Sequence, residues 1–250
     1  MTARSFVVVG GTAGLGLAAA RLLVNEHRVT VFGDAPDEVA AVTDELGCAG
    51  AVCDVSSYEQ VRAAFAEVVD RTGVIAGVAA CTARWAGGDL DELSPDQLRR
   101  IVEVDVLGAT YVLREALRHL RRQGFGTIVY PGAAAATSAR PDLPVYRAAR
   151  SYGTSLVESL AGQRRDDGVR VLLVCPGPMP TRLRERADGE LLDEAYAQPE
   201  PVVAELVRLL QLDPADVSDR AGAADPAGVS DRAGAADPAG RPRMTAEPSR

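Results

Sequence analysis

Apolar runs of strand character alternate along this chain with longer stretches in which apolar residues recur at helical spacing. The runs are Phe6 to Val9, Val29 to Phe32, Ala51 to Cys53, Val74 to Ala80, Thr127 to Tyr130 and Val169 to Val174. Strands buried on both faces read as unbroken apolar runs, and strands that alternate with helices build βαβ units. The pattern therefore predicts an α/β fold, a parallel sheet with helices on both faces.

Helix starts are legible from their caps. Ser56 with Glu59 three residues on has the capping-box pattern, and Ser94-Pro95 with Gln97 puts proline in a first turn behind another cap. From that second cap a long helix is expected, because Leu98, Ile101, Val102, Val106, Ala109, Val112, Leu113, Ala116, Leu117 and Leu120 keep a helical period. Further helices are expected from about Val145 to Gln163 and from about Pro201 to Leu212.

After Leu212 the pattern stops. The unit VSDRAGAADPAG at 217–228 repeats unchanged at 229–240, without an aromatic residue, Leu or Ile. Such a segment has too little apolar surface to fold alone, and two copies are too few for a solenoid. The reading is a single domain over 1–212 followed by a disordered tail over 213–250 that holds a recent duplication.

Composition narrows the chemistry. The net charge is −8 and the isoelectric point near 4.9, which argues against a nucleic-acid backbone or an anionic membrane surface as partner and leaves small molecules or proteins. All 27 basic residues are arginine, so Schiff-base, P-loop and proton-relaying lysines are excluded. Only His27 and His119 represent histidine, and Cys48, Cys53, Cys81 and Cys175 form no CxxC pair; the expectation is four buried free thiols and no metal site. The N-terminus enters the first strand without an apolar leader, and no run of about 20 apolar residues follows, so the chain reads as cytoplasmic.

Directly after the first run comes Gly10-Gly11-Thr12-Ala13-Gly14-Leu15-Gly16, then Leu17 to Leu23 with helical character. Glycines in a strand-to-helix turn let the backbone approach a pyrophosphate at the positive helix end, although they also serve close packing of helix on strand. Two more motifs accompany them: Asp54-Val55 after the third strand, and Pro176-Gly177-Pro178-Met179-Pro180-Thr181, a PGxxxT segment. On these three motifs the chain, from Phe6 to about Leu210, resembles the short-chain dehydrogenase/reductase family. The resemblance implies a Rossmann-type doubly wound parallel sheet. It further implies a cofactor whose pyrophosphate lies over Gly10, Thr12, Gly14, Leu15 and Gly16, whose adenine lies against Asp54 and Val55, and whose nicotinamide is flanked by Thr181.

At the end of the second strand, Val31-Phe32-Gly33-Asp34 puts an acid in the loop that meets the adenosine ribose. A carboxylate there accepts hydrogen bonds from both ribose hydroxyls and repels a 2′-phosphate, which favours NAD(H) over NADP(H). The family's usual strand-end Asp is here Gly33.

The family's active site is a constellation of Asn, Ser, Tyr and Lys. Tyr146-Arg147-Ala148-Ala149-Arg150 occupies the YxxxK position, with Tyr146 and Arg150 one helical turn apart on one face. The serine position falls on Ala133, the asparagine position on Asp105, and the Asn-Asn-Ala-Gly stretch has become Ala79-Ala80-Cys81-Thr82. A free tyrosine titrates near ~10, so acid–base work at neutral pH needs a positive charge beside it. Arg150 supplies charge but cannot relay a proton.

Three readings follow. The first is an atypical, NAD(H)-linked oxidoreductase acting on a ketone or secondary alcohol of a small molecule, with Tyr146 as proton donor or acceptor and Arg150 as its charge partner. The second is an inactive family member serving as partner or regulatory subunit. The third is a non-redox dehydratase or cyclase in which Tyr146 or Asp105 is the acid or base. Arg84, Trp85 and Arg140, at the carboxyl ends of strands, read either as grips for an aromatic or anionic substrate or as solvated side chains. Relatives close the sheet with a seventh strand that builds a tetramer interface; here the repeat tail follows instead, which leaves a homodimer, or a heteromer with a homologue, through the two long helices.

Overall fold

The computed structural model describes residues 3–84, 88–132, 144–163, 166–174 and 199–212. Six strands, β1 Ser5–Val9, β2 Arg28–Gly33, β3 Ala49–Val52, β4 Gly77–Ala80, β5 Gly126–Pro131 and β6 Val169–Val174, form one sheet in the order β3-β2-β1-β4-β5-β6. Every pairing is parallel, with β1 in the middle, Phe6 opposite both Val29 and Gly77.

A central parallel strand must bury both faces, and β1 does so by alternation. Val7 and Val9 enter one core with Phe65 and Val68 of α3 (Tyr58–Thr72), Val112 and Leu113 of α5 (Ala109–Gln123) and Val157 of α6 (Pro144–Gly162). Phe6 and Val8 enter the other, against Ala19 and Leu23 of α1 (Gly14–Leu23), Val42 of α2 (Pro36–Leu46) and Leu206 and Leu210 of α7 (Pro199–Gln211). Fully burying a side chain of this size stabilises by about 1.5–3 kcal/mol, so the two layers carry the fold. The doubly wound α/β architecture read from the sequence is the one observed.

Several boundaries differ from expectation, each for a local reason. Helix α1 begins at Gly14 rather than Leu17. Strand β4 starts at Gly77, because Gly73 (φ +79°) ends α3 and Val74 is left exposed in the turn. Strand β3 begins at Ala49: Gly50 belongs to it, and a side chain there would meet Thr43 and Val39 of α2. The cap of α3 is Ser57, whose Oγ accepts the Gln60 N–H at 3.4 Å, not Ser56. Ser56 instead donates its N–H and its hydroxyl to Asp54 Oδ1. Ser94 caps α4 (Pro95–Ile101) with the full capping box.

The expected long helix is interrupted. Between α4 and α5, residues Val102–Gly108 form a π-helical stretch. The buried stripe runs through Ile101, Val104, Asp105, Gly108, Ala109, Val112 and Glu115, while Val102, assigned to that stripe above, is 46% exposed. Glu115 is satisfied inside by the Tyr58 hydroxyl, which donates at 2.8 Å. Val55 wedges against the π stretch, 2.7 Å from where a Cβ on Gly108 would stand.

Helix α7 ends where two arginines take its last carbonyls: Arg4 donates to Gln211 O at 2.8 Å and Arg170 to Leu212 O. The sequence beyond residue 212, including the repeat, lies outside the described residues. Among the described residues no helix is long and apolar enough to cross a membrane. Of the described cysteines, Cys53 is buried, whereas Cys48 and Cys81 are only partly so, contrary to the expectation of four buried thiols; all three are free.

Candidate active site

The strand order reverses between β1 and β4, and open α/β sheets bind ligands in the crevice outside the carboxyl ends at such a point. The glycine-rich turn lies there. Gly10 and Gly11 donate their N–H groups to the Phe32 carbonyl at 3.0 and 3.1 Å. Gly10 holds φ +72°, and a Cβ on it would stand 3.0 Å from the Cys81 carbonyl. A Cβ on Gly16 would collide with the Gly10 carbonyl oxygen, so α1 rests directly on the backbone of the turn.

Gly14 (φ +52°) opens α1 at the surface, and Leu15 behind it packs on the apolar layer. The cap residue Ala13 provides no side-chain hydrogen bond, and the first turn holds no acid. By contrast Ser57 and Ser94 seal α3 and α4. An uncapped helix start with no competing carboxylate suits a pyrophosphate.

Thr12 turns its side chain to β2, where its Cγ2 stands 2.5 Å from the place a Cβ on Gly33 would occupy. That contact explains why no acid sits at the strand end: Thr12 fills its space. Asp34, the next residue, is exposed, and the first turn of α2 adds Asp37 and Glu38.

Asp54 is more committed than the sequence suggests. Its Oδ1 accepts the Ser56 N–H and hydroxyl at 2.9 and 2.7 Å, and its Oδ2 accepts Arg100 Nη2 at 3.0 Å. Burial works to raise its pKa, but the Ser56 and Arg100 hydrogen bonds outweigh it and hold the carboxyl below its ordinary value. Arg100, on α4, has no sequence signal that points to this role. Val55 is buried and packs inward.

At the ends of β4 and β5 the structure brings Asp105 and Arg150 together. Asp105 projects inward from the π stretch and is fully buried; its Oδ2 accepts the Arg84 N–H at 2.7 Å and its Oδ1 accepts Arg150 Nη1 at 3.3 Å. Arg150, 4% exposed, also donates to the Thr82 carbonyl at 3.1 Å and to the Pro131 carbonyl. One guanidinium thus ties α6 to both strand ends and to the π stretch. Burial pushes the Asp105 carboxyl up to about 6, against the pull of Arg150 and the Arg84 N–H. Burial disfavours the charge on Arg150, but Tyr130, Tyr146 and Asp105 outweigh it and hold its pKa above the ordinary value.

Tyr146 lies on α6 one turn before Arg150 and packs beside Leu98, Val106 and Val145 in a small cluster with Leu93, Ile101 and Ala149. Tyr130, read above only as the end of a strand run, lies fully buried on β5 beneath the Arg150 guanidinium, 5.1 Å from its ring centroid. Its hydroxyl abuts Gly153 and, among the described residues, takes no hydrogen-bond partner, and burial raises its pKa. Thr82 Oγ1 and Arg150 Nε are likewise buried and unpartnered. Burial pushes the Cys81 thiol up to about 12, so it stays protonated at neutral pH. Ala133, Arg140, Trp85 and Thr181 lie outside the described residues.

Fold and glycine-rich turn together define an α/β protein of the Rossmann type. The short chain dehydrogenase family model matches residues 4–191. An oxidoreductase, asL5, of Sarocladium schorii is 26% identical over 208 residues, covering 81% of this chain and 82% of its own. Cis-4-hydroxycyclohexanecarboxylate dehydrogenase of Sinomonas cyclohexanicum is 30% identical over 190 residues, covering 72% and 75%. Among solved structures, 3-ketoacyl-(acyl-carrier-protein) reductase from Brucella melitensis, complexed with NADH, superposes with a TM-score of 0.74 over 83% of this chain and 90% of its own, at 19% identity. The chain belongs to the short-chain dehydrogenase family.

Proposed function

We propose that the protein is an NAD(H)-linked oxidoreductase that interconverts a ketone and a secondary alcohol on a small molecule. The observation that carries this reading is the placement of Tyr146 one turn from a fixed guanidinium, Arg150, at the strand ends beside the glycine-rich cradle. Gly10, Thr12, Gly14, Leu15 and Gly16 would hold the pyrophosphate, Asp34 the ribose, Asp54 and Val55 the adenine, and Thr181 the nicotinamide end. Asp34, with Asp37 and Glu38 beside it, supports NAD(H) over NADP(H), because a 2′-phosphate would meet like charge. A bound nicotinamide supplies the hydride chemistry.

The chain's own part is proton handling and positioning. The Tyr146 phenol gives its proton to the carbonyl oxygen in reduction and takes the hydroxyl proton in oxidation. The Arg150 charge favours its phenolate; being a guanidinium held by three acceptors, it relays no proton. Asp105 holds Arg150 and the loop after β4 in register.

A second reading, a nucleotide-binding partner or regulatory subunit without turnover, draws support from the same three acceptors, which engage Arg150 with the protein rather than a ribose. Titration of the purified protein with NADH and NADPH, followed by turnover on a ketone panel, separates the two. NADH binding with turnover is expected; binding without turnover favours the second reading, and absence of dinucleotide binding overturns both.

A further inference from the structure

Residues 82–84, which leave the carboxyl end of β4, are fastened at two points: Arg150 holds the Thr82 carbonyl at 3.1 Å, and Asp105 holds the Arg84 N–H at 2.7 Å. The backbone of Arg84 is therefore fixed by a buried carboxylate whose other oxygen touches Arg150, one helical turn from Tyr146. Its side chain is exposed. Some surface arginines spend their charge on neighbours, as Arg21 does on Glu45 and Arg208 on Glu205, whereas exposed Arg28, Arg62 and Arg122 do not among the described residues; what sets Arg84 apart is its place at the strand ends beside Asp105 and Arg150. Among the described residues no carboxylate side chain forms an ion pair with the Arg84 guanidinium; the acids that follow in the chain, Asp89, Asp91 and Glu92, do not reach it, and Asp105 receives its backbone N–H. At this rim the charges of Arg84 and Arg150 both act on one buried carboxylate, in a chain whose net charge is −8.

A chain of that overall charge repels small anions in general, so a local cation at the mouth of a crevice acts selectively. Arginine presents a planar fork that matches a carboxylate in two parallel hydrogen bonds. We propose that Arg84 is a specificity residue that pairs with a carboxylate on the substrate, so that the preferred class is keto acids and their hydroxy-acid products. The inference rests on the oxidoreductase reading and adds the substrate class to it. The fixed backbone makes the pairing directional: the carboxylate is held at the β4 rim while the carbonyl faces Tyr146.

The test uses the full chain with NADH and three matched pairs: acetoacetate, 4-oxopentanoate and 4-oxocyclohexanecarboxylate, each beside its methyl ester. At least one acid should exceed its ester in kcat/KM by ten-fold or more, mainly through KM. Arg84→Met should bring that ratio to near one by raising the KM of the acid, and Arg84→Lys should keep part of it. Thermal melts of both variants should match the parent, since the side chain is exposed. Esters used as well as acids, or a ratio that survives Arg84→Met, would overturn the assignment and leave the oxidoreductase reading standing. Failure to reduce any ketone despite bound NADH would overturn that reading and this inference with it.

Discussion

Arg150 and Asp105 meet at 3.3 Å with side chains 5% and 0% exposed, each standing where the family pattern has a neutral or shorter partner, lysine for the one and asparagine for the other. In the structure the two act as one unit, cation and carboxylate paired inside the protein. Breaking a buried pair from one side leaves an uncompensated charge, a cost on the order of 3–5 kcal/mol. Arg150→Met and Asp105→Asn should each lower stability markedly. The double variant should be less damaged than the two added together, by 1 kcal/mol or more in a urea-denaturation cycle. Simple additivity would show that the pair is not coupled.

Arg150→Lys keeps the charge but not the span. A lysine ammonium cannot reach the Thr82 carbonyl, the Pro131 carbonyl and Asp105 from one planar fork, so buried acceptors lose partners at about 1–3 kcal/mol. The expected result is a lower melting temperature than the parent. A stability equal to the parent would place the guanidinium outside the strand-end clamp.

Tyr146→Phe removes the proposed proton donor without altering the glycine-rich turn. Turnover of a ketone should fall by 10²-fold or more, while the Kd for NADH stays within about two-fold. Undiminished turnover would transfer the proton step to another group.

Asp105 gives the stability a distinct pH signature. Its folded pKa, about 6, is raised above the ordinary carboxyl value, so the folded state binds its proton more tightly than the unfolded state does. Its contribution is then most favourable at low pH and declines as pH rises from about 4 to about 6, at up to about 1.4 kcal/mol per pH unit. Relative to Asp105→Asn, the parent should lose stability across that window and hold level above it. Denaturant midpoints of both proteins from pH 4 to 8 give the measurement; a difference that is flat or rises with pH contradicts the assignment.

Cofactor preference should follow Asp34. Asp34→Arg removes one charge and adds the opposite one at the proposed ribose site, and the ratio of NADPH to NADH affinity should rise about ten-fold or more. By contrast Gly33→Asp, which would restore the family's strand-end acid, should destabilise the protein, because Thr12 already fills that space.

Much of the fold was legible because strands buried on both faces leave an apolar trace that needs no partner to be seen. All six strands and the main helices answer to such traces, and the Ser94 cap to its spacing. What escaped was the polar interior. The family resemblance named Asp105 and Arg150 as site residues, but their burial, their contact with each other and the burial of Glu115 were not legible, because a pattern reading assigns charged residues to the surface. The Arg100 bridge to Asp54 joins residues far apart in sequence, and Tyr130 reads as one more apolar strand position. The cradle was visible because glycine records a steric demand directly; the clamp was not, since its acceptors are backbone carbonyls that any residue supplies.

The π-helical stretch at Val102–Gly108 changes the phase of a helix that would otherwise run on unbroken. One residue of helix corresponds to about 100° of rotation. Shortening the stretch by a single residue, at Val102 for example, would bring α4 and α5 into one register and swing either Asp105 or the Ala109–Leu113 face away from its partners. The length of this segment is therefore under a constraint that substitution does not expose.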